Sequence, residues 1–126
     1  MVINNLEAIL GLENQYKGKQ GFIVGTGPSL AYRDISTLKN EITIGLNLSP
    51  LTLGQSGVTL TFNIIADKDV IPQFKEVYAR TLRGTPTKKI IVARACKTFP
   101  QELIDEQTYF VPQCHPQGVI RFAQNP

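Results

Sequence analysis

Cysteine and histidine are scarce in this 126-residue chain: Cys96, Cys114 and His115 are all that it has. With no C-x-x-C pair and a single histidine as co-ligand, these residues are too few for a structural zinc site. The expected state is two reduced thiols, one of them packed in the core. Cys114-His115 has the residue types of a nucleophile and its base. Neighbours in sequence point in different directions, however, and such dyads come from separate elements that meet in space. A lone histidine between Cys114 and Pro116 reads as structural or solvated. Long apolar runs are also missing, and none approaches the length of a membrane span. Residues 1–7 lack the basic start and apolar stretch of a signal peptide, so the expected location is cytoplasmic.

Two glycine-rich phosphate motifs are absent as well. No Gly-Lys-Ser or Gly-Lys-Thr occurs, which excludes a P-loop. The dinucleotide fingerprint G-x-G-x-x-G needs a third glycine where this chain has Leu30, and an acid closing the second strand where it has Asn47. Acids are nearly absent from one span: Lys75, Arg80, Arg83, Lys88, Lys89, Arg94 and Lys97 share it with Glu76 alone. The plain reading of that span is a solvated helix face and a basic turn. The functional one is a funnel for an anionic, phosphate-bearing ligand. Aromatic residues for base stacking are few there, and no nucleic acid is expected as a partner.

What is present is a strand, Gly21-Phe22-Ile23-Val24, running into Gly25-Thr26-Gly27-Pro28-Ser29-Leu30. Two glycines a residue apart let a backbone pass close to something bulky, and Ser29 is placed to cap a following helix. Pro28 removes one N–H that a phosphate cradle would use. The plain alternative is an ordinary strand-to-helix turn.

Further strands are expected at residues 42–46, 60–66, 89–93 and 109–111, with a leading helix over 3–16. Other helical segments are read near 29–39, 70–83 and 99–105, the helix at 70–83 turning Val70, Phe74, Val77 and Leu82 inward. Residues 49–57 read as a loop or short helix. The pattern predicts one α/β domain over residues 1–126. Its form is a Rossmann-like three-layer sandwich with a mostly parallel sheet of about five strands. Ligands of such sheets sit outside the carboxyl ends of the strands, where Gly25, Asn47 and Asp67 each close a successive strand. Asn47 offers an amide for a ribose or base edge, or a cap for the next turn. Asp67 offers a carboxylate for a hydroxyl or for a magnesium ion bridging phosphates. Asp69 reads as the better helix cap, which leaves Asp67 freer.

The G-x-GPSL segment at 25–30, with its spacing to Asn47 and Asp67, resembles the N-terminal part of bacterial sialyltransferase-like proteins and of motility-accessory-factor glycosyltransferases. A similar segment occurs in archaeal hydroxymethyl-dihydropterin diphosphokinases. The resemblance covers residues 20–70, more loosely to 111. It implies a Rossmann-like fold and a transferase using a nucleotide-sugar donor, CMP- or UDP-linked. Gly25, Thr26, Gly27, Pro28, Ser29 and Asn47 would touch the nucleotide, with Asp67 near it. Thr26 departs from the Asn common between the glycines in sialyltransferase members, which argues against CMP-sialic acid itself. Members continue well past this chain's length and carry their catalytic residues there, so a shortened relative or a fragment is expected. Lys68, Arg94 and Lys97 are the candidates for stabilising leaving-group charge. The alternatives are an ATP- and magnesium-dependent diphosphokinase and a non-catalytic nucleotide-binding or assembly module, the last suited to a homo-oligomer formed through an open sheet edge.

Overall fold

The computed structural model describes residues 6–28, 30, 34–53 and 56–111. Five strands form one sheet: β1 Gly21–Val24, β2 Ile42–Leu46, β3 Phe62–Ile65, β4 Lys88–Ile91 and β5 Thr108–Phe110. All four pairings are parallel and the strands lie in the order 1-2-3-4-5. The fold is an α/β Rossmann-like sandwich, as the alternation of short apolar strands and helical segments predicts.

The strand order fixes where the helices go. A right-handed crossover between parallel neighbours lies on one face, and steps in a single direction keep every crossover on that face. Both hydrophobic clusters accordingly pack on one side of the sheet. The larger joins Ile65, Ile91 and Phe110 to Ile71, Tyr78, Ala95 and Phe99, and the smaller joins Val24 to Leu53, Val58 and Leu60. The layer above them contains α2 Ser49–Thr52, α3 Val70–Gln73, α4 Lys75–Leu82 and α5 Ala93–Cys96. Cys96 packs partly buried against the larger cluster.

The third layer is thin. A short helix, α1 Leu6–Leu10, contacts β5, and the Tyr16 ring meets Phe62 edge-on, 5.7 Å between centroids. Phe62 alternates with the core-facing Asn63, so it belongs to the other face of the sheet. On that face β1 and β2 leave Ile23 75% exposed and Leu46 40% exposed.

Four elements differ from their expected form. The leading helix ends at Leu10 and gives way to turns, with Gly11 next and Asn14 at φ 65°. Gly and Asn both favour leaving the helical ladder here. The helix expected over 70–83 is broken at Phe74, whose φ −119°, ψ 32° lies outside the helical region. The break rephases the second half of the segment: Phe74 and Val77 point outward, and Tyr78 takes the core position with no exposed surface. Residues 93–96 are helical rather than the end of a strand, and 101–103 form a 3₁₀ turn. After α4 the chain turns at Gly84, whose φ of 75° comes after an extended Arg83 and needs glycine.

Candidate functional site at the carboxyl edge of the sheet

Because β1, β2 and β3 are parallel neighbours, the residues that come after them emerge at one edge. Gly25 follows β1, Asn47 follows β2, and Asp67 lies two residues past the end of β3. Gly25, Thr26, Gly27 and Pro28 are all exposed there. The Gly27 carbonyl accepts a hydrogen bond from Leu30 N–H at 3.1 Å, and Leu30 packs against the smaller hydrophobic cluster. Ser29 lies outside the described residues, as do Cys114 and His115. A Cβ added at Gly25 would meet nothing within 4 Å, so nothing in the described fold requires glycine at this position.

Asn47 is the most constrained residue of the edge. Its φ of 48° is left-handed, a region that Asn tolerates better than most residues. Its N–H donates to Ile64 O at 2.8 Å, and its carbonyl accepts from Asn63 Nδ2 at 3.1 Å. Its side-chain Oδ1 accepts from Ala66 N–H at 2.9 Å and from Asp67 N–H at 3.1 Å. The amide thus ties the end of β2 to the chain leaving β3. That is not the cap for the next turn expected of it, since both amides lie on the segment leaving β3, and it leaves Nδ2 without a partner among the described residues.

Asp67 and Asp69 exchange the roles expected of them. Asp67 Oδ1 accepts from Asp69 N–H at 2.8 Å and from Val70 N–H at 3.3 Å, whereas the Asp69 side chain caps nothing. The reason is position: a carboxylate two and three residues before the amides it serves closes an Asx turn. Asp67 Oδ2 has no partner among the described residues. Lys68, Arg94 and Lys97 are exposed on segments leaving β3 and β4 at this same edge.

Sequence reasoning missed Ser49. It is fully buried, and its Oγ accepts from Leu46 N–H at 3.0 Å while lying 2.8 Å from Leu46 O and 3.3 Å from Val24 O. One hydroxyl therefore joins the ends of β1 and β2 beneath the glycine loop. The available signal was Gly45, a glycine inside a strand, which marks a close approach. A Cβ there would sit 2.8 Å from Ser49 Cβ and 2.5 Å from Leu60 Cδ1.

Of the basic span only Arg94 and Lys97 lie at this edge, and Lys75, Lys88 and Lys89 are engaged elsewhere. Lys75 pairs with Glu102, Lys88 lies over the Phe62 ring, and Lys89 pairs with Asp105 at 2.9 Å. Lys89 and Asp105 belong to the opposite, amino edge, beside a cavity of about 420 Å³ also lined by Tyr78, Thr87 and Gln107. Gln107 Oε1 is buried there without a protein partner. Burial pushes the Asp105 carboxyl up, but bonds from Lys89, Gln107 N–H and Thr108, with the Lys89 charge, outweigh it and hold the group below its ordinary value. Burial raises the Tyr78 phenol well above its usual value, against the opposing bond from Asn63.

Among the described residues no cluster of three or more His, Cys, Asp or Glu side chains is placed to hold a metal ion, and no helix is long and apolar enough to cross a membrane. Compared with known protein families, curated proteins and solved structures, the chain matches none of them.

Proposed function

We propose that this chain is a nucleotide-binding α/β domain of the glycosyltransferase-like type, holding an activated sugar donor at the 25–30 loop. The observation that carries the reading is the convergence of three strand ends. An exposed glycine loop, an amide with unused N–H groups and a carboxylate with an unused oxygen share one edge of a parallel sheet. Parallel sheets bind their ligands at this edge. The open space around Gly25 suits a phosphate approaching the backbone, since no side chain among the described residues fills it. Lys68 and Arg94, exposed at the same edge, supply positive charge for a donor phosphate. Group transfer would then consist of holding the phosphates and stabilising the charge that develops on the leaving nucleotide.

The test is a thermal-shift panel of CMP, UDP, GDP, ATP and CMP-sialic acid, each with and without magnesium. A ligand at 100 times its dissociation constant stabilises by about 2.7 kcal/mol, which a melting curve registers readily. Gly25→Val folds in this scheme because the position is open and its φ is not left-handed. One nucleotide raising the melting temperature of the native chain, but not of Gly25→Val, is the expected result. No shift from any member of the panel removes the reading.

A further inference from the structure

Once the internal hydrogen bonds of Asn47 and Asp67 are counted, each side chain keeps one unspent polar atom. Asn47 Oδ1 has both lone pairs engaged by the N–H groups of Ala66 and Asp67, so both N–H bonds of Nδ2 are unspent. Asp67 Oδ1 has both of its lone pairs engaged by Asp69 and Val70, so Oδ2 is unspent. The two residues are neighbours, because the backbone N–H of Asp67 is itself bonded to Asn47 Oδ1 at 3.1 Å. They are also held in place. Asn47 is fixed by its N–H bond to Ile64 O and by the Asn63 side-chain amide donating to its carbonyl, and Asp67 by the turn into α3.

We infer that Asn47 Nδ2 and Asp67 Oδ2 form a donor–acceptor pair that reads the vicinal diol of a ribose; the inference rests on the nucleotide reading of this edge. A diol is the complementary group: the 2′-hydroxyl donates to the carboxylate oxygen while the 3′-hydroxyl accepts from the amide. A phosphate does not suit the pair, since a second anion beside Asp67 is repelled and its oxygens cannot donate. Spacing favours the sugar over the base. Adjacent strands lie about 4.8 Å apart, so the ends of β2 and β3 are one and two strand spacings from the glycine loop. That is where the sugar falls when its phosphate occupies the loop, with the base further out. The division of labour is therefore phosphate on β1, sugar on β2 and β3.

Binding of CMP, UMP, GMP and AMP is compared with that of their 2′-deoxy forms by calorimetry, on the native chain and on Asp67→Asn. The variant keeps an oxygen for the turn into α3 and puts an amide nitrogen where Oδ2 was. The expected result is a loss on the order of tenfold for 2′-deoxy nucleotides on the native chain, the scale of one hydrogen bond to a charged group. In Asp67→Asn the ribo and deoxy forms should bind alike. Equal affinity for both forms on the native chain, or a preference that tracks the base alone, overturns the inference and leaves nucleotide binding standing. Binding of none of the eight removes the nucleotide reading and this inference together.

Discussion

Asn63 and Tyr78 meet beneath the helix layer: the amide nitrogen lies 2.7 Å from the phenolic oxygen, and both residues are fully buried. The same amide nitrogen donates to the carbonyl of Asn47 at 3.1 Å. A core contact between β3 and α4 is thereby coupled to the residue that shapes the carboxyl edge.

Tyr78→Phe keeps the ring and removes the hydroxyl, leaving Asn63 with one partner fewer. We expect a loss of about 1 kcal/mol in urea, with the slope of the unfolding transition unchanged. The pH dependence has a defined sign. Burial raises the folded-state phenol above its ordinary value of 10.0, so the unfolded chain loses this proton first. Stability from Tyr78 is fully present below pH 10 and falls as pH rises above it. Tyr78→Phe should flatten that alkaline decline; an unchanged decline would assign it to other groups.

Lys89 and Asp105 make the opposite case at the acid end. The folded carboxyl sits below its ordinary value of 3.8, so its contribution is present above that pH and is lost as pH falls through the folded value. Asp105→Ala leaves the Lys89 ammonium, whose side chain is 7% exposed, without its partner. The expected cost is about 2 kcal/mol near neutrality. Lys89→Met should cost less, because its stem is replaced by a side chain of similar shape and the half-exposed carboxylate regains water. Equal losses for the two variants would show that the burial of Lys89 does not set the effect.

Much of the fold was legible because parallel strands are nearly continuous apolar runs. Phe22-Ile23-Val24, Ile42 to Leu46 and Ile90-Ile91 declare themselves between glycine, proline and charged residues. Strand order is not written this way, since the same runs suit a sheet that reverses and one that does not. The helix at 70–83 misled because Phe74 and Val77 fit a helical stripe, and nothing local announces a break that rephases it. At the site, the shared edge of Gly25, Asn47 and Asp67 followed from topology alone. Which aspartate caps α3, and that Ser49 joins β1 to β2, depends on hydrogen bonds that no spacing encodes.

Gly45→Ala tests the junction under the glycine loop. The new methyl would enter at 2.8 Å from Ser49 Cβ, so the backbone of α2 must move and the Ser49 bonds to Leu46 and Val24 loosen. Overpacking of this kind costs about 2 kcal/mol. Gly25→Ala, one strand away with open space around it, should change stability by less than about 0.5 kcal/mol. Similar losses at the two glycines, measured by chemical denaturation, would contradict this contrast.

Asn47 combines two effects that substitution can separate. Asn47→Ala removes the acceptor serving Ala66 and Asp67 and also places a β-carbon at φ 48° without the local bonding that favours Asn there. Asn47→Gly removes the same acceptor while relieving the backbone. The alanine variant should lose about 2–3 kcal/mol and the glycine variant about 1–2 kcal/mol, the difference being the left-handed penalty. Amide exchange sharpens the test, because the N–H groups of Ala66 and Asp67 lose their acceptor in both variants. Their exchange should quicken equally in the two, while global stability differs. If exchange at 66 and 67 is unaltered, the Asn47 side chain is not what holds the edge, and its amide nitrogen has no fixed direction from which to donate to a ligand.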